Sequence, residues 1–301
     1  MMRRLAVTLL IAVLLSTPLA TCKPVNTVVI RVAYYPGLFS KFLASDPIFE
    51  VFNYSWETNS TVYRFELFVL DKFEMRGIGS KRLSTKNFDV LLVGSNAKSY
   101  LLDSRDPLWR NNVKRFVLSG GGYVGICGGA VLASLGYKTA NSLFERYINR
   151  YTLKLIDVYI NDDLDEEWQY LLKLSYSERL SDIFGIPVPV NIVNEELMGM
   201  EGKRIIIWCG GPGMCIKNST KQSILPLMRY EREISDIAPI HRIVVKKDFR
   251  IAIGKIKTDL NGSLAGVSTQ NGGRIVLFGP HPEFIPVEGG KVKEFLGLSS
   301  I

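Results

Sequence analysis

Apolar residues in the first half of the chain are grouped into short runs. The runs are rich in β-branched and aromatic residues, which favour strands. Four of them predict strands, at residues 27–35, 62–71, 88–94 and 123–127. Between the third and the fourth, residues 109–122 repeat apolar positions with a helical period and end in glycines, which are typical of a helix C-terminus.

This order of elements predicts the fold class. Strands separated by helices form a parallel sheet with helices on both faces, so we expect an α/β fold. The strands are apolar throughout rather than alternating, as expected for burial on both sides. In the second half, residues 204–214 predict a strand entering a glycine loop, residues 240–256 paired strands, and residues 274–284 a last buried strand with a polar tip.

The middle of the chain departs from this pattern. Residues 161–184 have acidic residues first and an apolar stripe afterwards, which predicts one long amphipathic helix. We expect this helix to belong to an insertion at residues 137–200 that covers part of the sheet. No linker rich in proline or serine and no internal repeat is visible, so residues 27–301 are predicted to form one domain.

The N-terminal segment is typical of a secretory signal. Arg3 and Arg4 precede the apolar run Leu5–Leu15, which is too short for a comfortable membrane span. We therefore expect residues 1–22 to be a signal peptide or an N-terminal membrane anchor, and the protein to be exported, extracellular or anchored on the outer face. Cleavage, lipidation at Cys22 and retention as an anchor stay open, and a buried first helix is the alternative.

The charge balance bears on the partners. A formal net charge of +8 favours acidic partners or an anionic membrane surface. The stretch richest in basic residues, 244–257, alternates them with apolar residues, which indicates strands with a solvated face rather than a nucleic-acid site. We expect no nucleic-acid partner. Acceptor triplets for asparagine glycosylation, a weak sign of export, occur at Asn53, Asn59, Asn218 and Asn261.

The run GICGG contains the first candidate for chemistry, Cys127. Gly125, Gly128 and Gly129 surround the cysteine at a predicted strand-to-helix turn, which is the arrangement of a nucleophile elbow with cysteine in place of serine. Small residues are needed there because the backbones on both sides of the strained turn approach closely. The Gly128 amide and the helix start are expected to lower the thiol pKa and to bind an oxyanion. The alternative is a tight packing turn without chemistry.

The chain holds only two histidines, and one of them stands at the end of the last predicted strand. Because parallel strands bring their carboxyl ends to one edge of a sheet, His281 is predicted at the same edge as Cys127. Glu283 follows two residues later and can orient the imidazole, so these residues can form a nucleophilic triad. The alternative is a capping histidine beside a surface glutamate. His241 heads another predicted strand and is interpreted as structural.

The segments GGGYVGICGG and GPHPE together resemble the class I glutamine amidotransferase-like superfamily. Within it, WCGGPGM, LMRYE and GVSTQNGGRIVLFGPHPE are most similar to the family named after the N-terminal domain of biotin-protein ligases. The resemblance covers most of residues 27–285 and is weakest at residues 137–200. It implies a flavodoxin-like sandwich in which Cys127 is the nucleophile, His281 the base and Glu283 the residue that orients the base.

The chain departs from the superfamily pattern at the loop after the third predicted strand. The superfamily often has a proline–glycine–glycine turn there, which supplies the second oxyanion amide. This chain has VGSNAKS instead, with Gly94, Ser95 and Asn96, and Ser95 is the expected donor beside Gly128. We find neither a ligase catalytic domain nor an adenylate-binding loop in the sequence, so we do not expect a biotin ligase.

A glycine loop, GGPG, follows the strand predicted at residues 204–208 and is expected to open onto the edge that carries the triad. Gly210, Gly211 and Gly213 are therefore candidates for substrate binding, and a simple tight turn is the alternative. Trp208, directly before the loop, is expected in the core.

Four cysteines occur in the chain, Cys22, Cys127, Cys209 and Cys215. If Cys22 is removed or lipidated and Cys127 is reactive, Cys209 and Cys215 remain for a disulfide around the glycine loop, a pairing that stays open. A reactive thiolate outside the cell is prone to oxidation, which counts against catalysis by an exported protein.

The triad favours a thiol hydrolase or amidase that acts on an amide or peptide bond of a small-molecule or peptide substrate. A non-catalytic exported binding or scaffold domain that keeps the elbow for packing is the alternative. A glutaminase subunit is disfavoured, because its ATP-using synthetase would be needed outside the cytoplasm. We expect no cofactor and no metal, and the substrate and the oligomeric state stay open.

Overall fold

The computed structural model describes nine stretches of the chain. They are residues 26–37, 48–58, 60–94, 97–140, 143–161, 170–172, 186–237, 240–245 and 251–283. The predicted signal at residues 1–22 lies outside them, so export stays a prediction. None of the helices in these stretches combines the length and the apolar character needed to cross a membrane.

The described residues contain fifteen strands and eight helices. The strands are β1 (Asn26–Tyr35), β2 (Ser55–Thr58), β3 (Thr61–Val69), β4 (Val90–Val93), β5 (Gly122–Ile126), β6 (Val158–Asn161), β7 (Tyr170–Leu172), β8 (Ile186–Ile192), β9 (Lys203–Trp208), β10 (Gly213–Ile216), β11 (Ile224–Tyr230), β12 (Ile240–Val245), β13 (Ile251–Ile256), β14 (Leu264–Asn271) and β15 (Gly273–Phe278). The helices are α1 (Ile48–Val51), α2 (Lys72–Met75), α3 (Ala97–Asp103), α4 (Pro107–Leu118), α5 (Gly128–Ala133), α6 (Leu143–Tyr151), α7 (Glu195–Met198) and α8 (Ile234–Ile237).

Five parallel strands form the centre of the main sheet, in the spatial order β3-β1-β4-β5-β15. Numbered by their appearance in the chain, they follow the order 2-1-3-4-5, which is the flavodoxin-like arrangement. The predicted α/β fold class is confirmed. In this register Val93 of β4 pairs with Gly125, and Ile126 pairs with Phe278 of β15, so the carboxyl ends of three strands lie side by side.

Antiparallel strands extend this parallel centre on both sides, a feature that the sequence pattern did not predict. Beyond β15 the order continues β14-β11-β8-β9, and β2 pairs with β3 at the opposite edge. β8 carries Pro187 and Pro189, which have no amide hydrogen for a ladder. It pairs with β11 only over residues 190–192, after both prolines, while residues 186–191 pair with β9.

The prediction of a helix over residues 161–184 is wrong for the part of this stretch that the structure describes. Asn161 ends β6, and Tyr170–Leu172 form β7, which pairs with β12. The remaining residues of the stretch lie outside the described residues. The strands predicted within residues 240–256 are confirmed as the antiparallel pair β12 and β13, which together with β7 make a second, three-stranded sheet. Within the predicted insertion at residues 137–200 the structure describes two helices, α6 and the short α7.

The helix predicted from residue 109 begins two residues earlier. Pro107 occupies its first turn, where the missing amide hydrogen costs nothing, and the side chain of Asp106 caps the helix by accepting a hydrogen bond from the Leu108 amide at 3.0 Å. Trp109 is fully buried, and its ring lies 5.7 Å from that of Tyr35 in β1. The α4 helix is thus anchored on the sheet from its first turn.

The parallel strands bury side chains on both faces, because neighbouring residues of a strand point to opposite sides. Leu91 and Val93 of β4 belong to a core shared with helices α3 to α6. Leu92, between them, belongs to the core of the other face, together with Ile48 of α1. The expectation of helices on both faces is therefore confirmed.

We expect Trp109→Ala to lower the free energy of unfolding by about 3 to 5 kcal/mol, because it removes a fully buried ring and leaves a cavity. The matched control is Leu108→Ala, whose side chain is 62% exposed, and its expected effect is below about 0.5 kcal/mol. Urea unfolding followed by circular dichroism measures both. Equal losses in the two variants would contradict the described packing of α4.

Candidate active site

Cys127 alone connects the end of β5 to the start of α5. Its backbone lies at φ +52° and ψ −105°, and its amide donates to the Phe278 carbonyl of β15 at 2.8 Å. Residues other than glycine rarely adopt a positive φ, and residues held there cluster at active sites. The turn thus has the strand–turn–helix geometry of a nucleophile elbow.

The start of α5 touches the end of β4 without an intervening side chain. A Cβ on Gly129 would lie 2.1 Å from the carbonyl oxygen of Val93, which is a severe steric clash. The Gly129 amide donates instead to the Gly94 carbonyl at 2.9 Å. Gly129, the second residue after Cys127, is therefore required by close backbone packing.

His281 and Glu283 form a buried hydrogen-bonded pair. His281 Nδ1 lies 2.7 Å from Glu283 Oε1, and both side chains are buried. The His281 amide donates to the Ile207 carbonyl in β9 at 2.7 Å, which holds the backbone of the histidine against the neighbouring strand. The second carboxylate oxygen, Glu283 Oε2, has no hydrogen-bond partner within the described stretches. Glu283 thus orients the imidazole through one oxygen.

Both halves of the predicted triad lie at one edge of the sheet. β5 and β15 are parallel neighbours, and Ile126 pairs with Phe278 in their ladder. Cys127 lies one residue beyond Ile126, and His281 lies three residues beyond Phe278. The fold therefore brings a cysteine in an elbow and a histidine–glutamate pair to adjacent carboxyl ends of strands, where open α/β sheets bind ligands.

The glycine loop after β9 lies over Cys127. A Cβ on Gly211 would lie 3.2 Å from Cys127 Sγ and 1.9 Å from the Gly279 carbonyl oxygen, so only glycine fits. Trp208 is fully buried in the core, as expected, and its Nε1 donates to the Gly211 carbonyl at 2.7 Å.

Of the other two glycines predicted for substrate binding, Gly210 is the neighbour of Gly211 and is also buried. Gly213 begins β10 and packs elsewhere, because a Cβ there would meet Ser263 Oγ at 2.3 Å and Asn161 Oδ1 at 2.6 Å. Gly211 is therefore the loop residue that the structure brings to the sulfur.

Of the two predicted oxyanion donors, Gly128 lies within the described residues and Ser95 does not. The Gly128 amide follows the sulfur-bearing residue directly and has no acceptor within the described stretches, whereas the Gly129 amide is used by Gly94. Ser95 and Asn96 lie outside the described residues, so the second donor stays a prediction.

Two tyrosines near Cys127 were not identified from the sequence. The hydroxyl of Tyr100 in α3 is fully buried and has no hydrogen-bond partner in the part of the chain that the structure describes, and that of Tyr230 in β11 donates to the Pro212 carbonyl at 3.3 Å. Burial raises the pKa of both hydroxyls well above the ordinary value, and negative charge on Cys127 raises it further. They come from distant elements, so no local pattern could indicate them.

The disulfide considered between Cys209 and Cys215 is absent, since the two sulfurs are not bonded to each other. Cys209 follows β9, while Cys215 lies in β10 opposite Tyr159 and is exposed. Burial, followed by the negative charge of Glu283, raises the pKa of the Cys209 thiol to about 12. Cys209 is thus a second thiol beside the histidine–glutamate pair, held in its neutral form.

Within the described residues, no group of three or more histidine, cysteine, aspartate or glutamate side chains is arranged to hold a metal ion. The groups that the structure places at this edge of the sheet are a thiol, an imidazole, a carboxylate, backbone amides and tyrosine hydroxyls.

No protein-family model and no curated protein matches the chain. Among solved structures it is similar to a ThuA-like protein from Bacteroides uniformis, with 13% identity, a TM-score of 0.40, and coverage of 91% of this chain and 89% of that one. It is also similar to a GMP synthase subunit-like protein from Thermoplasma acidophilum, with 11% identity, a TM-score of 0.41 and coverage of 89% and 93%. A third is the Trypanosoma brucei CTPS glutaminase domain with bound acivicin, with 11% identity, a TM-score of 0.41 and coverage of 89% and 92%.

We expect Gly129→Ala to lower the free energy of unfolding by about 1 to 3 kcal/mol or more, because the new methyl group must displace the backbone at Val93. Gly94→Ala is the matched control: its Cβ would have its nearest neighbours at 3.6 Å or beyond, which is ordinary contact. Its expected effect stays within about 1 kcal/mol. Urea unfolding compares the two, and a Gly129→Ala protein as stable as the control would refute the close contact.

We expect alkylation of Cys209 by iodoacetamide to accelerate about tenfold per pH unit between about pH 8 and pH 10, because the thiolate reacts and its fraction grows at this rate below the pKa. Mass spectrometry of the digested protein follows each cysteine separately, and the exposed Cys215 serves as the internal control. If the alkylation rate of Cys209 instead stops rising at a pH near the ordinary cysteine pKa, burial and Glu283 do not suppress the thiolate.

Proposed function

We propose that the protein is an exported thiol hydrolase that cleaves an amide or peptide bond with a Cys127–His281–Glu283 triad. The observation that carries this proposal is the strained elbow at Cys127, one parallel strand away from a buried histidine that is hydrogen-bonded to a carboxylate. A packing turn needs neither the positive φ nor the histidine–glutamate pair. A nucleophilic triad uses both.

In this mechanism Cys127 Sγ attacks the carbonyl carbon of the substrate and forms a thioester as the amine leaves. His281 accepts the thiol proton and donates it to the departing nitrogen. Glu283 accepts the hydrogen bond from Nδ1, so the opposite ring nitrogen, Nε2, exchanges this proton. Water, activated by the same imidazole, then attacks the thioester carbonyl, releases the acid and returns the proton to sulfur.

The negative charge that develops on the carbonyl oxygen is assigned to the Gly128 amide and to an amide near Ser95. The Gly128 amide has no acceptor within the described stretches and follows the nucleophile directly, as the first donor of an oxyanion hole does. Gly210 and Gly211 are assigned to the substrate backbone, since glycines allow close approach and Gly211 lies against the sulfur.

The class of substrate follows from this chemistry. A thiol nucleophile with a histidine base transfers acyl groups, so the substrate carries an amide or a related acyl bond. Within the superfamily that the motifs resemble, the WCGGPGM segment favours the family named after the N-terminal domain of biotin-protein ligases. The proposal is limited to the hydrolase domain and includes no ligase activity.

A second candidate, a non-catalytic binding domain of the same fold, is favoured by one observation. Cys127 is only 5% exposed and belongs to an apolar cluster with residues such as Val32 and Leu92. A small apolar side chain in such a place can serve packing alone, as buried cysteines often do. The reactivity of the thiol separates the two functions.

The experiment compares the rate at which Cys127 is labelled by a panel of amide electrophiles in the wild type and in variants. We expect Cys127→Ala to abolish this labelling, and His281→Ala to slow it about 10²- to 10⁴-fold through loss of the base. His241→Ala is the matched control, because His241 is the other histidine of the chain and lies in β12 of the second sheet. It should label at the wild-type rate.

Two outcomes would overturn the hydrolase. One is a wild type that labels Cys127 no faster than the His281→Ala variant. The other is equal slowing by His281→Ala and His241→Ala when circular dichroism shows both variants folded, since His281 then has no specific role in activating the thiol. Either result leaves the binding domain as the better account.

A further inference from the structure

An open cleft of about 370 Å³ lies at the amino ends of β4 and β5, away from the candidate active site. Residues 82–85 of its wall precede β4, and Ser119 precedes β5. Because Cys127 follows the other end of β5, the cleft and the elbow lie at opposite ends of this strand. Seven polar residues are among those that line it: Arg76, Arg82, Ser84, Thr85, Asn112, Arg115 and Ser119.

Positive charge in this cleft is only partly neutralised. Three arginines are among the residues that line it, and no aspartate or glutamate of the described residues is. Arg76 pairs with Asp106 at the start of α4. Arg82 and Arg115 are exposed and form no ion pair with any carboxylate of the described stretches, so two residues that line this small volume carry charges that no described carboxylate neutralises. Such an arrangement attracts a compact anion.

The loop that carries Arg82 is held in place by hydrogen bonds from its surroundings. The buried Asn112 of α4 donates through Nδ2 to the carbonyls of Met75 and Leu83, at 3.0 and 3.1 Å. The side chain of Asn87 donates to the Arg82 carbonyl at 2.9 Å. This segment has no regular secondary structure, yet its backbone is fixed against α4. A preformed wall lowers the entropy cost of binding a ligand.

The donors are suited to one class of anion. Guanidinium groups bind phosphate through parallel hydrogen bonds, and the three hydroxyl groups of Ser84, Thr85 and Ser119 add further donors. A phosphomonoester has three terminal oxygens and close to two negative charges, whereas a carboxylate has two oxygens and one charge. The cleft volume lies within the range of about 300 to 1,000 Å³ that is typical of small-molecule sites.

We propose that this cleft binds the phosphate group of a small phosphorylated molecule between Arg82 and Arg115. The site is independent of the Cys127 chemistry, because it lies at the other end of β5. A ligand there would contact α4 and the loop before β4, both of which pack on the sheet that carries the elbow.

The test is isothermal titration calorimetry of the whole protein with inorganic phosphate and with glucose 6-phosphate, at constant ionic strength. We expect both to bind the wild type, and the Arg82→Gln/Arg115→Gln double variant to bind them at least about tenfold more weakly, because each charge-assisted hydrogen bond to an arginine is worth about this factor or more. Arg110→Gln is the matched control, since Arg110 lies on α4 but does not line the cleft.

The proposal is supported if binding survives in Arg110→Gln and Cys127→Ala but is lost in the double variant. Urea unfolding of the double variant shows whether it is folded. Absence of binding by the wild type at millimolar phosphate would overturn the proposal, and so would equal loss in Arg110→Gln, which indicates a diffuse basic surface. Citrate bound as tightly as phosphate would refute the assignment to phosphate.

Discussion

The backbone contact between the first turn of α5 and the end of β4 determines the geometry of the whole candidate site. The Val93 carbonyl occupies the space of a Gly129 side chain, and the Gly94 carbonyl accepts the Gly129 amide. The helix must therefore begin immediately after β5, with a single residue to reverse the chain direction. That residue, Cys127, has a positive φ of 52°, a conformation that residues other than glycine rarely adopt.

The other components arrive from the antiparallel half of the sheet. β9 binds the backbone of His281 through Ile207 and ends in the loop that places Gly211 against both Gly279 and the sulfur. The parallel centre thus supplies the cysteine and the strand that leads to the histidine, and the extension holds the histidine and covers the thiol. A buried thiol, imidazole and carboxylate in one place interact more strongly than they would in water.

The two ends of β5 carry different chemistry. At the carboxyl end a cysteine, a histidine and a glutamate are buried, and burial, followed by the charge of Glu283, raises the pKa of the neighbouring Cys209 thiol. At the amino end, exposed arginines surround an open cleft without a neutralising carboxylate among the described residues. The length of β5 lies between these regions, so a ligand at one end does not compete for groups at the other.

The sequence by itself determined that strands alternate with helices in a parallel sheet, that Cys127 lies in an elbow and that His281 pairs with Glu283. Each of these features depends on residues close together in the chain. Apolar runs, glycines around Cys127 and the two-residue spacing from His281 to Glu283 are local signals. Only the tertiary structure decided that residues 170–172 pair with β12, that Gly211 rather than Gly213 meets the sulfur, and that Tyr100 and Cys209 lie near the site. These contacts join elements distant in sequence, and they depend on sheet register and on backbone approach, which no local pattern encodes.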